Sequence, residues 1–171
     1  MNPSEASPKS WRAGVIRDFA RSELFDRTFQ EGMELVEETA AYLDGAGRQE
    51  SKLLARNAAL AYAAESMRLT TRLMQVASWL LVQRAVKEGD MAPETACDER
   101  YRLGGLEVSR SGGAVHDELP GVLIVLLDRS ERLFERVKHL DERMYVDVSE
   151  DVEANNAVLG HMDRLRSAFG G

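Results

Sequence analysis

Apolar residues recur at intervals of three and four along most of this chain, which is the spacing of one face of an α-helix. One such stripe runs from Ser22 to Asp44, and Gly45 follows where a helix commonly ends. Another runs from Leu119 to Tyr145, and its Pro120 fits a first helical turn. The pattern predicts a helix over each range. The two stripes are Phe25, Phe29, Met33, Val36, Ala40 and Leu43, and Leu119, Leu123, Leu126, Ser130, Leu133, Val137, Leu140 and Met144.

Between them, a longer helix is predicted from about Glu50 to Glu88, with Gly89 and Pro93 just beyond its end. Strong helix formers fill most of this range, and apolar residues lie on more than one side of it. A seam with steps of three and four predicts left-handed bundle packing, and a second stripe flanks it. The seam is Leu53, Asn57, Leu60, Ala64, Met67, Thr71, Met74, Ser78, Leu81 and Ala85, and the second stripe is Leu54, Ala58, Ala61, Leu69, Val76 and Leu80.

These elements predict an all-α fold, an antiparallel three-helix bundle over residues 22–145 with a long central helix and flexible termini. Residues 1–21 are predicted to be a flexible segment with one short helix, whose stripe is Trp11, Val15 and Phe19. Residues 89–118 are interpreted as an irregular crossover and a candidate functional element. Residues 146–171 are predicted to be a flexible tail that folds into a short helix when a partner captures it.

The unequal helix lengths predict a homodimer. If the chain turns at Gly45–Gly47, Phe25 lies opposite Leu69 or Thr70, and residues 71–88 have no partner in the first helix. The third helix covers one side of this overhang, and either residues 11–19 or a second chain covers the other. The predicted dimer contact is Met74, Trp79, Leu80 and Val82. In the alternative, residues 10–21 extend the first helix and no dimer forms.

Composition narrows the classes of function. The formal net charge of −7 argues against sequence-independent binding of nucleic acid, which requires a basic face. Cys97 is the single cysteine, so no disulfide forms within the chain. The first residues lack the apolar stretch of a signal peptide, and no segment predicts a membrane span. We therefore expect a cytoplasmic protein without direct nucleic-acid or membrane binding.

No arrangement of residues predicts catalysis. The histidines His116, His139 and His161 form no metal-binding spacing, and no histidine accompanies Cys97. We therefore expect neither an enzyme nor a metal or cofactor. Lys138 beside His139 resembles, faintly, the reactive site of a histidine phosphotransfer bundle, and this signalling bundle is the alternative hypothesis.

Polar residues on the long helix and apolar residues in the tail are candidates for partner binding. Glu65, Arg68, Arg72 and Gln75 follow helical steps along one side, either as a solvated stripe or as a docking strip for acidic partners. Leu165 and Phe169 are candidate anchors of a docking peptide in the tail. A purely structural dimerisation module is a third interpretation.

Two segments resemble the regulator of CtrA degradation (RcdA) family. One is the helix from Ala61-Tyr62-Ala63-Ala64-Glu65-Ser66-Met67-Arg68 through Ala77-Ser78-Trp79-Leu80-Leu81 to Val86. The other is Phe25-Asp26-Arg27-Thr28-Phe29-Gln30-Glu31-Gly32-Met33, with Tyr42-Leu43-Asp44. The resemblance covers about residues 22–145.

This resemblance implies a dimeric, non-enzymatic adaptor of the ClpXP protease in an alphaproteobacterium. Such a protein links protease primed by a response-regulator-like partner to transcription-factor cargo, and a cyclic-di-GMP effector protein extends the chain of adaptors. It implies a cytoplasmic location, with polar foci formed through the partners. The matching positions expected to face outward are Glu65, Arg68, Arg72, Gln75, Gln83 and Arg84.

Overall fold

The computed structural model describes residues 8–104 and 116–169, and the side chains of 9–104 and 117–145. Over these residues the chain forms α-helices and no β-strand, which confirms the all-α fold class. Single 3-10 turns lie at Glu99–Tyr101 and His116–Glu118. The helices are α1 (Pro8–Ala20), α2 (Glu23–Asp44), α3 (Ala46–Ser51), α4 (Arg56–Glu88), α5 (Pro93–Ala96) and α6 (Gly121–Phe169).

Helix α2 begins and ends where the sequence predicts. The Phe25 backbone N–H donates to the Ser22 side chain at 3.2 Å, which caps the first turn. At the other end, the Gly45 N–H donates to Ala41 O at 3.0 Å. The buried face is displaced by one position from the predicted stripe, and its members are Phe25, Thr28, Gly32, Leu35, Thr39 and Tyr42.

The predicted start of the long helix at Glu50 is wrong. The short helix α3 comes first, and the backbone of Ala55 is extended before α4 begins at Arg56. The backbone of Gly47 in α3 lies close to the Tyr42 ring and to the Tyr62 hydroxyl. The predicted end at Glu88 is confirmed, with Gly89 at φ 84° in the left-handed conformation that ends many helices.

Helix directions follow from the contacts between named side chains. Asp26 of α2 pairs with Lys87 of α4, and Gly32 lies against Leu80, so these two helices are antiparallel. Arg72 bonds Ser130 and Trp79 bonds Asp141, so α4 and α6 are parallel. A parallel pair requires a long connection, which accounts for the crossover between residues 89 and 120. Residues 105–115 lie outside the described part.

Helix α1 is part of the core, which the three-helix prediction omits. Ala13, Ile16 and Ala20 are 1%, 0% and 0% exposed, whereas Trp11 of the predicted stripe is 42% exposed. Phe19 of α1 packs against Trp79 with ring centroids 5.7 Å apart. The helix therefore supplies cover for α4 from within one chain and does not simply extend α2.

The predicted overhang of residues 71–88 is also wrong. Lys87 lies 5.8 Å above the Phe25 ring, so α2 reaches the C-terminal end of α4. Because α3 and the linker occupy residues 46–55, it is the N-terminal part of α4 that extends past the end of α2. The premise from which the dimer was predicted therefore fails.

Helix α6 is longer than predicted. Its N-terminal part carries the predicted stripe, since Leu123, Leu133 and Val137 are all 0% exposed. The helix does not end at Tyr145 and continues to Phe169. The mobility of residues 146–171 stays a prediction.

Candidate partner-binding surfaces

Helix α4 presents one apolar face to the core and another to solvent. The face in the core is the second stripe, since Ala58, Leu69, Val76 and Leu80 are 0–2% exposed. The seam that was predicted to pack in the bundle faces outward, so that prediction is wrong. Both stripes have helical spacing, and the bulkier face, which includes Tyr62, Leu73 and Trp79, is buried because it removes more apolar area from water. The large exposed seam residues are Leu53, Leu60, Met67, Met74 and Leu81, at 53–87% exposure.

Three of the α4 residues that were expected to face outward are buried. Glu65, Arg72 and Gln83 are 6%, 2% and 1% exposed, so the expectation that they face outward is wrong. They lie on the inner side of α4. Steps of three and four fit the inner face of a helix as well as its outer face, so the spacing could not distinguish the two.

Arg72 has a structural role that the sequence did not indicate. Its Nη1 donates to Ser130 Oγ at 2.8 Å, and its Nη2 lies 3.3 Å from Glu131 Oε1. Burial lowers the pKa of the guanidinium, and the carboxylates of Glu131 and Glu65 oppose that shift. An arginine side chain remains charged after such a shift, so this contact is a charged tie between α4 and α6.

The other three residues expected to face outward, Arg68, Gln75 and Arg84, are accessible to different degrees. Arg84 is exposed, donates to Glu88 at 2.7 Å and lies 4.9 Å above the Phe29 ring. Arg68 is partly exposed and pairs with Glu65, and Gln75 is also partly buried. Arg84 is the most accessible of the three, with 48% of its side chain exposed, and its contacts with Glu88 and Phe29 hold it in place.

The predicted dimer contact is divided between the core and the surface. Trp79 and Leu80 are 2% and 0% exposed within a single chain, so a second chain does not reach them in this fold. This part of the prediction is wrong, since α1 and α2 supply the cover that a second chain was expected to give. Met74 is 65% exposed and Val82 is half-buried, so both are accessible.

Shallow grooves border the exposed face of α4 on both sides. One, of about 290 Å³, lies between α4 and the Val36, Ala40 and Leu43 side of α2. Another, of about 500 Å³, lies between α4 and Arg100–Gly104 of the crossover. Met74 lines both grooves, so it lies on the ridge between them.

A third groove, of about 700 Å³, lies between α2 and α6 and includes no residue of α4. Leu24 and Leu140 contribute apolar surface, and Lys138 and His139 lie at its rim. Glu31 and Arg136 also line it and pair with each other at 2.6 Å. The groove thus combines an apolar floor with charges of both signs.

Within the described ranges, no three His, Cys, Asp or Glu side chains come together as a metal site would require. Cys97 is half-buried, its Sγ lies 3.3 Å from Pro93 O, and burial raises the pKa of its thiol. A raised pKa disfavours the reactive thiolate. His139 is exposed on α6 beside Lys138.

The side chains of Leu165 and Phe169, the predicted anchors of the tail, lie outside the described residues. Their backbone belongs to α6. None of the helices in the described part of the chain has an apolar stretch that could cross a membrane.

Comparison with known proteins gives two findings. Residues 16–169 match a family described as "Protein of unknown function (DUF1465)". Among solved structures, the chain is similar to RcdA from Caulobacter crescentus CB15, with 71% sequence identity and a TM-score of 0.64. That similarity covers 76% of this chain and 98% of the other. No curated protein sequence is significantly similar to the chain.

Proposed function

The chain belongs to the RcdA family, and from that premise we propose that it is a non-enzymatic adaptor which helps deliver cell-cycle regulatory proteins to the ClpXP protease. The 71% identity to the Caulobacter protein over 98% of that protein's chain carries the proposal.

The geometry supports a binding role. An adaptor needs at least two separate docking surfaces on one stable body, because it must hold two partners at once. The outer face of α4 and the groove between α2 and α6 are two such surfaces, and the α2–α6 groove includes no residue of α4. Holding protease and cargo together raises the local concentration of cargo without any chemistry in the adaptor itself.

The proposed partners are ClpXP with a response-regulator-like priming partner, transcription-factor cargo and a cyclic-di-GMP effector protein. The proposed location is the cytoplasm, with polar foci formed through these partners. The proposed acting unit is a homodimer. Of the predicted docking residues, Arg68, Gln75 and Arg84 keep exposed surface on α4, and Leu165 and Phe169 remain candidates in the C-terminal part of α6.

A reconstituted degradation reaction tests this proposal. Purified ClpXP, the priming partner and a transcription-factor cargo are combined with and without the full-length chain, and loss of cargo is followed on gels. We expect faster loss of cargo only when both the chain and the priming partner are present. If the chain changes the rate in no combination, and ClpX with its primer fails to capture it, the adaptor function is wrong.

A shortened variant that lacks residues 146–171 tests the C-terminal anchors in the same reaction. We expect weaker partner capture and an almost unchanged melting temperature, since the described core lies N-terminal to residue 146. An unchanged capture would remove Leu165 and Phe169 from the docking surface.

The alternative function is phosphotransfer through His139, and its exposure on a helix beside Lys138 is the observation that favours it. His139→Gln separates the two functions. An adaptor with this change still accelerates cargo degradation, even though His139 lines the α2–α6 groove, whereas a phosphotransfer protein loses all labelling by a phosphorylated response regulator.

A further inference from the structure

Two salt bridges with the same spacing connect α2 to α6. Glu38 pairs with Arg129 and Glu31 pairs with Arg136, both at 2.6 Å. The two bridges are seven residues apart on each helix, which is about two helical turns, and the helices run in opposite directions. The next position of α2 in this register is Leu24, so the row of acids ends there and the α2–α6 groove begins.

The floor of this groove is apolar and accessible. Leu24 is 53% exposed, and Thr28 and Leu140 also line the groove. The Thr28 hydroxyl donates to Leu24 O at 2.8 Å, so its O–H is already satisfied. A ligand therefore gains affinity at the floor by covering it with apolar side chains.

The α6 rim of the groove alternates in charge. Glu135, Lys138 and Glu142 are exposed and line the groove, and their steps of three and four place them along one side of α6. Among the residues that the structure describes, none of the three forms an ion pair or a side-chain hydrogen bond. All three charges are therefore available to charges of opposite sign on a partner.

The α2 rim carries Arg27, which pairs with Glu23 at 3.4 Å. Both side chains are more than 80% exposed, at 82% and 88%. Such a pair contributes little, because water screens it and two long side chains lose freedom in forming it. An acid of a partner can therefore replace Glu23 at this rim.

A helix fits this groove better than an extended chain. Residues 27–31 and 135–142 lie inside α2 and α6, so their backbone groups are bonded within those helices. An extended peptide would find no strand edge here, and its own N–H and C=O groups would be unpaired against an apolar floor. A helix satisfies its own backbone and presents only side chains to the groove.

We propose that the α2–α6 groove binds an amphipathic helix of a partner protein. The bound stretch is about two turns long, since residues 135–142 span about 10 Å at 1.5 Å per residue. Its apolar stripe covers Leu24 and Leu140. Its edge beside α6 carries a base, an acid and a base, which pair with Glu135, Lys138 and Glu142. This inference rests on the proposed adaptor function and deepens it by naming what one of the two docking surfaces accepts.

Two stapled helical peptides of about 18 residues serve as probes, because an unstapled helix of this length is marginal in water. Both carry fluorescein and the same leucine stripe. Beside that stripe, the matched probe has Lys, Glu and Lys at steps of three and four, and the reversed probe has Glu, Lys and Glu. Fluorescence anisotropy with the full-length chain is expected to show at least about tenfold tighter binding of the matched probe. Equal affinities, or no binding of either probe, would overturn the proposal.

A charge-reversed variant tests the α6 rim. It combines Glu135→Lys, Lys138→Glu and Glu142→Lys in one chain and replaces exposed residues only, so we expect unchanged helical circular dichroism. This variant is expected to prefer the reversed probe by a similar factor, because each attractive pair becomes repulsive and the reverse. A persistent preference for the matched probe would refute the proposed pairing.

Leu24→Gln tests the floor, and Leu53→Gln is the matched control, since Leu53 is 87% exposed and does not line the groove. We expect Leu24→Gln to weaken binding of the matched probe by about tenfold or more and Leu53→Gln to bind like the parent. Equal binding by both variants would contradict the proposal. Sedimentation velocity tests a competing occupant, because a change of oligomeric state in Leu24→Gln alone would show that the groove holds a second copy of the chain instead.

The degradation reaction distinguishes failure of this inference from failure of the adaptor function. A chain that binds the matched probe but accelerates degradation in no combination contradicts only the adaptor function. A Leu24→Gln variant that loses the probe and still delivers cargo at the rate of the parent would overturn only the assignment of this groove as a docking surface.

Discussion

The indole Nε1 of Trp79 donates a hydrogen bond of 3.0 Å to Asp141 Oδ1, deep between α4 and α6. The same carboxylate, 3% exposed, also accepts the Leu103 backbone N–H at 3.2 Å and pairs with Arg102 at 3.2 Å. One buried acid thus joins two helices to the crossover, and the crossover in turn forms one wall of a groove beside the exposed face of α4.

We expect Asp141→Ala to destabilise the fold by about 3–5 kcal/mol, because it removes a buried charge partner and leaves the Trp79 N–H and the Arg102 guanidinium unsatisfied. Urea unfolding followed by circular dichroism measures the loss. Asp128→Ala is the control, since the Asp128–Arg132 pair is exposed and is expected to contribute less than about 1 kcal/mol. Equal losses in the two variants would mean that Asp141 does not hold the crossover.

Arg72 is expected to contribute to stability rather than to partner capture. Arg72→Ala removes the buried cation that contacts Ser130 Oγ and the partly exposed Glu131 carboxylate, so we expect a loss of about 2–4 kcal/mol in the free energy of unfolding. Arg132 provides the comparison, because its pair with Asp128 is exposed on both sides and Arg132→Ala is expected to cost under about 1 kcal/mol. If the Arg72→Ala protein unfolds like the parent but fails to capture ClpX, Arg72 is instead a docking residue.

Two glycines are expected to respond to alanine in opposite directions. A Cβ at Gly47 would lie 2.7 Å from Tyr62 Oη and 2.8 Å from the Tyr42 ring, and Tyr42 is held by its hydrogen bond to Glu50. Gly47→Ala is therefore expected to destabilise the protein by about 1–3 kcal/mol through overpacking.

At Gly14 in α1, the Cβ meets nothing within 4 Å. Gly14→Ala is expected to stabilise by about 0.5–1 kcal/mol, because alanine has the higher helix propensity. Thermal unfolding of both variants and the parent measures the two changes in melting temperature, which are expected to have opposite signs. A rise in both variants would contradict the packing described for α3.

The fold is expected to lose stability above about pH 10. Burial raises the pKa of Tyr145 to about 12, and Asp141 adds to the shift. Burial also raises the pKa of Tyr42, with Glu50 as the second cause. Between the unfolded and folded pKa values, the native state binds more protons than the unfolded state. Its free energy of unfolding therefore falls as pH rises through this window, and below about pH 10 the contribution is fully present.

Urea unfolding at a series of pH values from 8 to about 11.5 measures this slope, which starts near the ordinary pKa of a solvated tyrosine, about 10. Tyr145→Phe is the matched variant, since it keeps the ring and loses only the titrating hydroxyl and its bond to Ala96 O. We expect the free energy of unfolding of this variant to fall less steeply with alkaline pH than that of the parent. At neutral pH we expect the two free energies of unfolding to differ by a constant amount. A slope identical to that of the parent would show that Tyr145 does not contribute to the alkaline loss of stability.

Local signals account for the parts of the fold that the sequence predicts correctly. Ser22, Gly45 and Gly89 act on neighbouring backbone groups, so the ends of α2 and the end of α4 can be predicted without knowing the fold. The apolar stripe of α6 is unambiguous because α6 has one such stripe over Leu119–Met144. The break before Arg56 has no Gly or Pro at residues 52–55, so no local signal in the sequence predicts it.

By itself, the sequence determined that the chain is all-helical and that α4 has two apolar faces, since propensity and periodicity are properties of neighbouring residues. Only the tertiary structure decided which of those faces is buried. The choice depends on the shapes and volumes of the side chains that α1, α2 and α6 pack against α4. It buried Arg72, which its spacing had placed in a solvated or docking stripe, and Trp79, which the predicted overhang had placed in a dimer contact, and it left the Leu60–Leu81 ridge exposed. The accessible apolar face of α4 is therefore the one that packing against α1, α2 and α6 excluded from the core.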